Sequence, residues 1–161
     1  MLKYIETIYM MGINMPTLKP KKITVKAHYE PPTKVIAEIG GTRLVQDLPK
    51  TIGGTGEGPT PTELLLASLA GCFGIVSAIH KDRFGVNIES MEIEVSGLID
   101  VRGFMGEDVK PGFTEVSAVI RVRSDAPEDA VKKLIEFVRK HCPIEDTIES
   151  PTPVKVEIVK E

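Results

Sequence analysis

The chain has no tryptophan, and its 161 residues include only five phenylalanines and three tyrosines. It therefore lacks the aromatic residues interleaved with basic ones that form a stacking platform for nucleic-acid bases. Positive charge is not in excess either. Lysines and arginines number 20 against 23 aspartates and glutamates, for a net charge of −3. With no basic run, nucleic acid is excluded as a partner on electrostatic grounds. Two cysteines are too few for a secreted disulfide framework. Three histidines with no short Cys–Cys or His–His spacing make no zinc pattern. The uncharged segment Leu64–Ile79 falls short of the ~20 residues that a bilayer span requires, and Ser68, Gly71, Gly74 and Ser77 weaken that reading further. Side-chain amides are confined to Asn14, Gln46 and Asn87. Together with abundant Lys, Glu, Ile and Val, that scarcity is typical of heat-adapted proteins.

What remains is the composition of a soluble globular domain, 42% hydrophobic and 27% charged, long enough to build a core. The apolar stretch Ile8–Ile13 is preceded by Lys3 and Glu6 and followed by no small-residue cleavage site, so it makes a poor signal peptide. Residues 1–19 are read as an N-terminal extension, of which Met1–Asn14 can be an upstream start, and residues 20–161 as a single domain. The expected location is cytoplasmic, with no membrane association.

Alternation of apolar and polar residues predicts a strand over Lys21–Tyr29, with Ile23, Val25, Ala27 and Tyr29 on one face. Pro31-Pro32 forces a turn into a second strand, Lys34–Ile39, and Gly40-Gly41 a hairpin into a third, Thr42–Gln46. The glycine-rich run Gly53–Gly58 lies in a loop from Pro49 to Pro59. It lacks the strand–helix context and the lysine of a phosphate-binding loop, so a lid beside a site or a plain connector suits it better. Thr60, Pro61 and Glu63 then form a capping box with proline at the first helical position. The helix they open is predicted to run to Phe84, ahead of Gly85. It is apolar around its whole girth, which demands burial on all sides. Ala70, Gly74 and Ala78 give it a ridge of small residues for close approach. One small domain cannot wrap such a helix alone, so an obligate homodimer is expected.

Downstream, Val86–Asp100 and Phe113–Ser124 read as two strands of a hairpin. Asp125 is the expected cap of an amphipathic helix with a buried stripe of Ala130, Val131, Leu134, Ile135 and Val138. On its wet side Glu128–Lys132, Asp129–Lys133 and Glu136–Lys140 are spaced for ion pairs. A short helical turn from Pro143 to Glu149 and a last strand carrying Val154, Val156 and Ile158 complete the chain. The fold class is α+β, with mostly antiparallel sheet and a central buried helix.

Chemistry centres on the two thiols. Cys72 lies mid-helix in apolar surroundings, where desolvation opposes thiolate formation and the helix dipole contributes little. That setting equally suits an unreactive core cysteine. Cys142, between His141 and Pro143 where a new helical turn begins, is the more easily activated of the two. Both sit on elements meant for the core and can meet in space, and thiols that meet can exchange electrons. His28 and His80 have no partners at metal-ligand spacing.

The segment Gly58–Phe73, GPTPTELLLASLAGCF, with His141-Cys142-Pro143 downstream, resembles the OsmC/Ohr family of osmotically inducible and organic hydroperoxide resistance proteins. The resemblance covers roughly Lys21 to the C-terminus. It implies an intertwined OsmC-like homodimer, with antiparallel sheets around long central buried helices and the site at the subunit interface. It also implies a thiol-dependent peroxidase acting on organic hydroperoxides. Cys72 would attack the peroxide and become a sulfenic acid, and Cys142 would resolve it as an intramolecular disulfide. An external dithiol, rather than a bound cofactor or metal, would restore both thiols. Members of the family have a glutamate directly after the helix-opening proline, where this chain has Thr62 with Glu63 one place later. Glu63 is the candidate to orient a cation over Cys72, unless it only closes the capping box. That cation would be Arg43, with Lys34 and Lys50 as alternatives lacking a planar fork. The competing reading is a non-catalytic OsmC-like dimer that binds an apolar ligand and uses its thiols only for packing.

Overall fold

The computed structural model describes residues 19–150 and 152–160. The chain forms two compact units, Met1–Leu65 and Leu66–Glu161, which are described separately below. Met1–Asn14 and most of the expected extension lie outside the described residues.

The first unit is an antiparallel meander of β1 (Lys26–Glu30), β2 (Lys34–Ile39) and β3 (Thr42–Gln46), in that spatial order. β2 and β3 have the expected bounds, and the Gly40-Gly41 turn has φ of 55° and 83°, the left-handed pair that a two-residue hairpin turn needs. β1 is shorter than expected. Ile23 and Val25 precede it, and both are exposed, as is Tyr29.

Ile36 and Ala37 on β2 are buried, and so is the carboxylate of Asp47. That carboxylate organises the loop that follows. Its Oδ1 accepts from the Thr33 hydroxyl (2.6 Å) and the Leu48 N–H (2.8 Å). Its Oδ2 accepts from the Thr55 N–H (2.8 Å), the Thr55 hydroxyl (2.5 Å) and the Glu57 N–H (3.3 Å). The loop also bonds to itself through Gly54 N–H to the Pro49 carbonyl and Gly56 N–H to that of Leu48, both 3.1 Å. A Cβ at Gly54 would collide with the Leu48 carbonyl, and one at Gly58 with that of Val45. These glycines therefore serve close backbone approach, which takes away the observation behind a lid.

The hydroxyls of Thr33 and Thr55, helped by the Leu48 and Glu57 amides, hold the Asp47 carboxyl far below the usual carboxylate range against the opposing effect of burial. A depressed folded-state pKa means that the stabilisation is complete above the unfolded value of ~3.9 and drains away as pH falls below it. An amide-shift titration by NMR should therefore show the Leu48, Thr55 and Glu57 signals of the folded protein still unmoved near about pH 4 and moving together only at much lower pH. Asp47→Asn should show the displaced shifts already at neutral pH and little further acid response.

The long helix α1 (Pro61–His80) begins as its capping box dictates. The Thr60 N–H donates to Glu63 Oε2 at 2.7 Å, and the Glu63 N–H donates to Thr60 Oγ1 at 3.3 Å. The α-helical stretch stops at His80, earlier than expected. It tightens into a 3₁₀ turn, Lys81–Phe84, closed by Gly85 at φ 65°.

In the second unit β4 (Ser90–Leu98) and β5 (Glu115–Arg123) form the expected hairpin, Ser90 opposite Arg123 and Leu98 opposite Glu115. Their connection contains the short α2 (Val101–Phe104), capped by Asp100. The amphipathic α3 (Glu128–His141) buries Leu134 and Val138. Asp125 is not its cap. Pro127 occupies that position with ψ 142°, outside helical space, and no side chain caps the helix. The Ala126 N–H is taken by Ser124 Oγ instead. On the exposed side Lys132–Glu128 and Lys133–Asp129 pair at 2.6 Å.

One apolar cluster unites Leu69 and Phe73 of α1, Val86, Leu134 and Val138 of α3, and Cys142. Together with Ser77, Leu69 and Phe73 form a stripe four residues apart, and these three are the buried positions of α1. Gly74 faces Ile93 of β4, whose Cδ1 lies 3.5 Å from where a Cβ would stand. Elsewhere the helix is not covered by its own chain, since Leu65 and Ile75 are exposed. Residues 152–160 are not a strand either, and Val154, Val156 and Ile158 are almost fully exposed. A strand needs an edge to bond to, and no described strand pairs with this segment.

Candidate functional site: a dithiol pair in the second unit

Cys72 sits on the side of α1 that faces the core cluster. Cys142 lies at the elbow where α3 ends and α4 (Pro143–Glu149) begins. The elbow follows from local sequence, because Pro143 supplies no N–H to continue α3 but suits the first position of a new helix. Cys142 has extended backbone angles there (φ −82°, ψ 110°), and its Sγ accepts the Glu145 N–H at 3.3 Å. The two sulfurs are joined as a disulfide with Cα atoms 6.0 Å apart, so both thiols of the chain are consumed by it. Cys142 is only 1% exposed, while Cys72 is half-buried.

Around this bond the surroundings are mainly apolar, with Phe73, Val138, Ile144 and Ile148 in the same cluster. Two charged groupings flank it. The first is built on Phe137, whose ring stacks on His141 at 3.8 Å, meets His80 edge-on at 4.7 Å and lies 4.6 Å beneath the Arg83 guanidinium. His141 turns back along α3, its Nδ1–H donating to the Phe137 carbonyl at 2.7 Å. Burial, then the charges of His141 and Arg83, push the His80 pKa down. The second is Glu145, buried on α4. Its Oε1 accepts from Nε and Nη2 of Arg139, both at 2.8 Å. Neither Arg83 nor Arg139 stands out in the sequence. The Arg139–Glu145 separation of six residues matches no helical pairing, and only the bend at Cys142-Pro143 makes it a contact.

The other candidate residues lie in the first unit. Arg43 is an exposed residue of β3, opposite Glu38 in the register and beside Lys26 in a shallow groove. Glu63 uses its Oε2 to accept from both the N–H and the hydroxyl of Thr60. Those bonds, the backbone one foremost, hold its carboxyl below the ordinary value. Lys34 is bound between Glu30 and Glu57, both at 3.1 Å, and those carboxylates compete with any role over a thiolate. Lys50 belongs to the 3₁₀ turn that follows Pro49.

An antiparallel α+β scaffold that joins a long helix to a Cys-Pro elbow through two thiols defines a dithiol protein. The family can be stated as well. The model of the OsmC-like protein family matches residues 54–157, and the chain belongs to that family. Among curated proteins it is 29% identical over 127 residues to the uncharacterized protein YmaD of Bacillus subtilis, covering 74% of this chain and 80% of that protein. Among solved structures it resembles an OsmC-like protein from Mycoplasma pneumoniae, with TM-score 0.71 and 23% identity, covering 81% of this chain and 89% of that one. It also resembles an organic hydroperoxide resistance protein OsmC from Legionella pneumophila, with TM-score 0.59 and 17% identity over 81% of this chain and 91% of that one. These structural likenesses establish the shared fold.

Pro61–Phe84, 24 residues, is long enough to cross a membrane and contains an 18-residue window of mean hydropathy 1.8. Of that window 17% is buried within the single chain, and the helix is tied to Cys142 through Cys72.

A link spanning 70 residues restricts the unfolded chain strongly. Reduction should therefore lower stability by about 4 kcal/mol, read as the difference in urea midpoint between oxidised and reduced protein. Cys142→Ser should match the reduced form and be insensitive to dithiothreitol.

Proposed function

We propose that the protein is a thiol-dependent peroxidase for organic hydroperoxides, serving oxidative stress defence. The observation that carries this reading is the direct bond between Cys72 and Cys142 across 70 residues. Membership of the OsmC-like family and the likeness to a hydroperoxide resistance protein add support. In the first step the Cys72 thiolate attacks the distal peroxide oxygen. The O–O bond breaks, the alkoxide takes up a proton and leaves as an alcohol, and Cys72 becomes a sulfenic acid. In the second step the Cys142 thiolate attacks that sulfur, the S–S bond forms and the hydroxyl leaves as water. An external dithiol then reduces the bond by exchange, becoming a disulfide itself and returning both thiols. The apolar residues near the pair favour an organic peroxide over hydrogen peroxide. A disulfide that must be reduced on every turnover suits a cytoplasmic location, where such bonds are transient and catalytic.

Arg43 is proposed as the cation that lowers the Cys72 pKa, and Glu63 as the carboxylate that orients it. The commitment of Lys34 to two carboxylates favours the arginine. The alternative, a non-catalytic binding dimer, is favoured by Thr62 standing where family members have glutamate and by the engagement of Glu63 with Thr60. One experiment separates the two readings. On addition of one equivalent of cumene hydroperoxide, reduced protein should lose both free thiols and form the Cys72–Cys142 link, and Cys72→Ser should consume no peroxide. An unchanged thiol count would leave the binding reading.

We further propose that the working form is an intertwined homodimer. The uncovered apolar residues of α1 and the unpaired 152–160 segment support a second chain lying against them. Ile75 is 63% exposed in the single chain, where a change to glutamate would cost no more than ~0.5 kcal/mol if water surrounded it. Sedimentation should show the parent as a dimer. Ile75→Glu should dissociate it or lower its stability by about 2 kcal/mol or more.

A further inference from the structure

We infer that the Arg139–Glu145 pair tunes the resolving sulfur, with Arg139 cancelling a buried carboxylate that would otherwise suppress the Cys142 thiolate. The assignment rests on the reading of Cys142 as the attacking thiolate in the second step above.

Glu145 is 8% exposed, and its Oε2 is buried without a hydrogen-bond partner. Both bonds from the Arg139 fork converge on the other oxygen, Oε1. The backbone N–H of this same residue donates to Cys142 Sγ at 3.3 Å, so the carboxylate's own main chain touches the sulfur. A carboxylate in a low-dielectric site raises the pKa of a neighbouring thiol, and a guanidinium paired with it removes that effect. Since Arg139 ends α3 and Glu145 opens α4, their bond also fixes the elbow that aims the sulfur at Cys72.

The other charges near the elbow do not touch Glu145, although Arg139 is like most of them an exposed residue; His80 and Arg83 lie against the Phe137 ring. His141 is exposed, with its ring on Phe137. Lys140 and Asp146 are exposed, and so is Glu149, which lies 3.9 Å from Arg139. Along α1, Leu64–Ile79 carries no charge before His80. Among the described residues, Glu145 is the buried charged residue whose main chain touches the sulfur, and Arg139 reaches its carboxylate from the exposed side. Arg139 and Glu145 are thus positioning residues for the second step and have no contact with peroxide.

The test uses full-length reduced protein carrying Cys72→Ser, with Cys142 alkylation by iodoacetamide followed against pH by mass spectrometry. Arg139→Gln should raise the alkylation midpoint by about one pH unit. Glu145→Gln, which leaves the guanidinium without its carboxylate, should lower it. The double variant should return close to the parent, and Arg139→Lys should lie between parent and Arg139→Gln. A purely structural loosening would expose Cys142 and move every variant in one direction. That outcome, or no movement at all, would overturn the inference. Should Arg139→Gln not fold, the sign of the Glu145→Gln shift decides alone.

With both cysteines present, one equivalent of cumene hydroperoxide should leave roughly tenfold more dimedone-trapped Cys72 sulfenic acid in Arg139→Gln than in the parent, as a unit of lost acidity implies. If the parent forms no sulfenic acid or disulfide, the peroxidase reading fails, while the alkylation midpoints still judge the pair.

Discussion

The second unit is organised around the contact between the middle of a charge-free helix and the bend of a helical elbow. Leu69 and Phe73 on α1 and Leu134 and Val138 on α3 bring the two elements together. Pro143 then bends the chain at the residue where the sulfurs meet. The apolar packing and the covalent link reinforce each other. The cluster holds the cysteine backbones within bonding reach, and the link prevents α1 from leaving the cluster. A disulfide on such a scaffold can be broken without dispersing its partners, because the surrounding side chains still pack when the bond is gone.

Charge is arranged around this contact by exclusion. The α1 segment Leu64–Ile79 supplies none, so any electrostatic control of the sulfurs within the second unit comes from outside that segment. The arginines concerned meet different neighbours, Arg83 the Phe137 ring and Arg139 the Glu145 carboxylate. The first unit uses a buried charge for another purpose. Asp47 accepts five hydrogen bonds and fastens the loop leading to the α1 cap. Its carboxylate is satisfied by neutral donors, whereas that of Glu145 has one oxygen paired to a cation and one left bare. A buried carboxylate with both oxygens bonded is structural; one with a bare oxygen keeps an electrostatic effect on its neighbours.

Much of the fold was legible because its signals are local. The period-two alternation of Met91–Val95, the Gly40-Gly41 turn and the Thr60–Glu63 box each fix a conformation within a few residues. Readings failed where several local solutions compete or where a partner is required. Asp125 was expected to cap α3, but Pro127 stays extended at the cap position and Ser124 takes the Ala126 amide. At Val154–Ile158 the alternation is that of a strand, but strand formation depends on a neighbouring edge. The Arg139–Glu145 contact was invisible for a related reason: it spans a bend, and pairing rules for straight helices do not reach across one.

By itself the sequence determined the types of most elements, the cap of α1, the bend at Cys142-Pro143 and the chemical identity of the two thiols. All of these depend on backbone preferences and side-chain chemistry within one turn of helix or one strand pair. Only the tertiary structure decided that Cys72 and Cys142 are bonded to each other, that Glu145 is buried against the sulfur with Arg139 as its counter-charge, and that the glycine-rich loop folds onto Asp47. Those are contacts between residues distant in sequence or across a bend. Their distances, burial and dielectric surroundings exist only after the chain has packed.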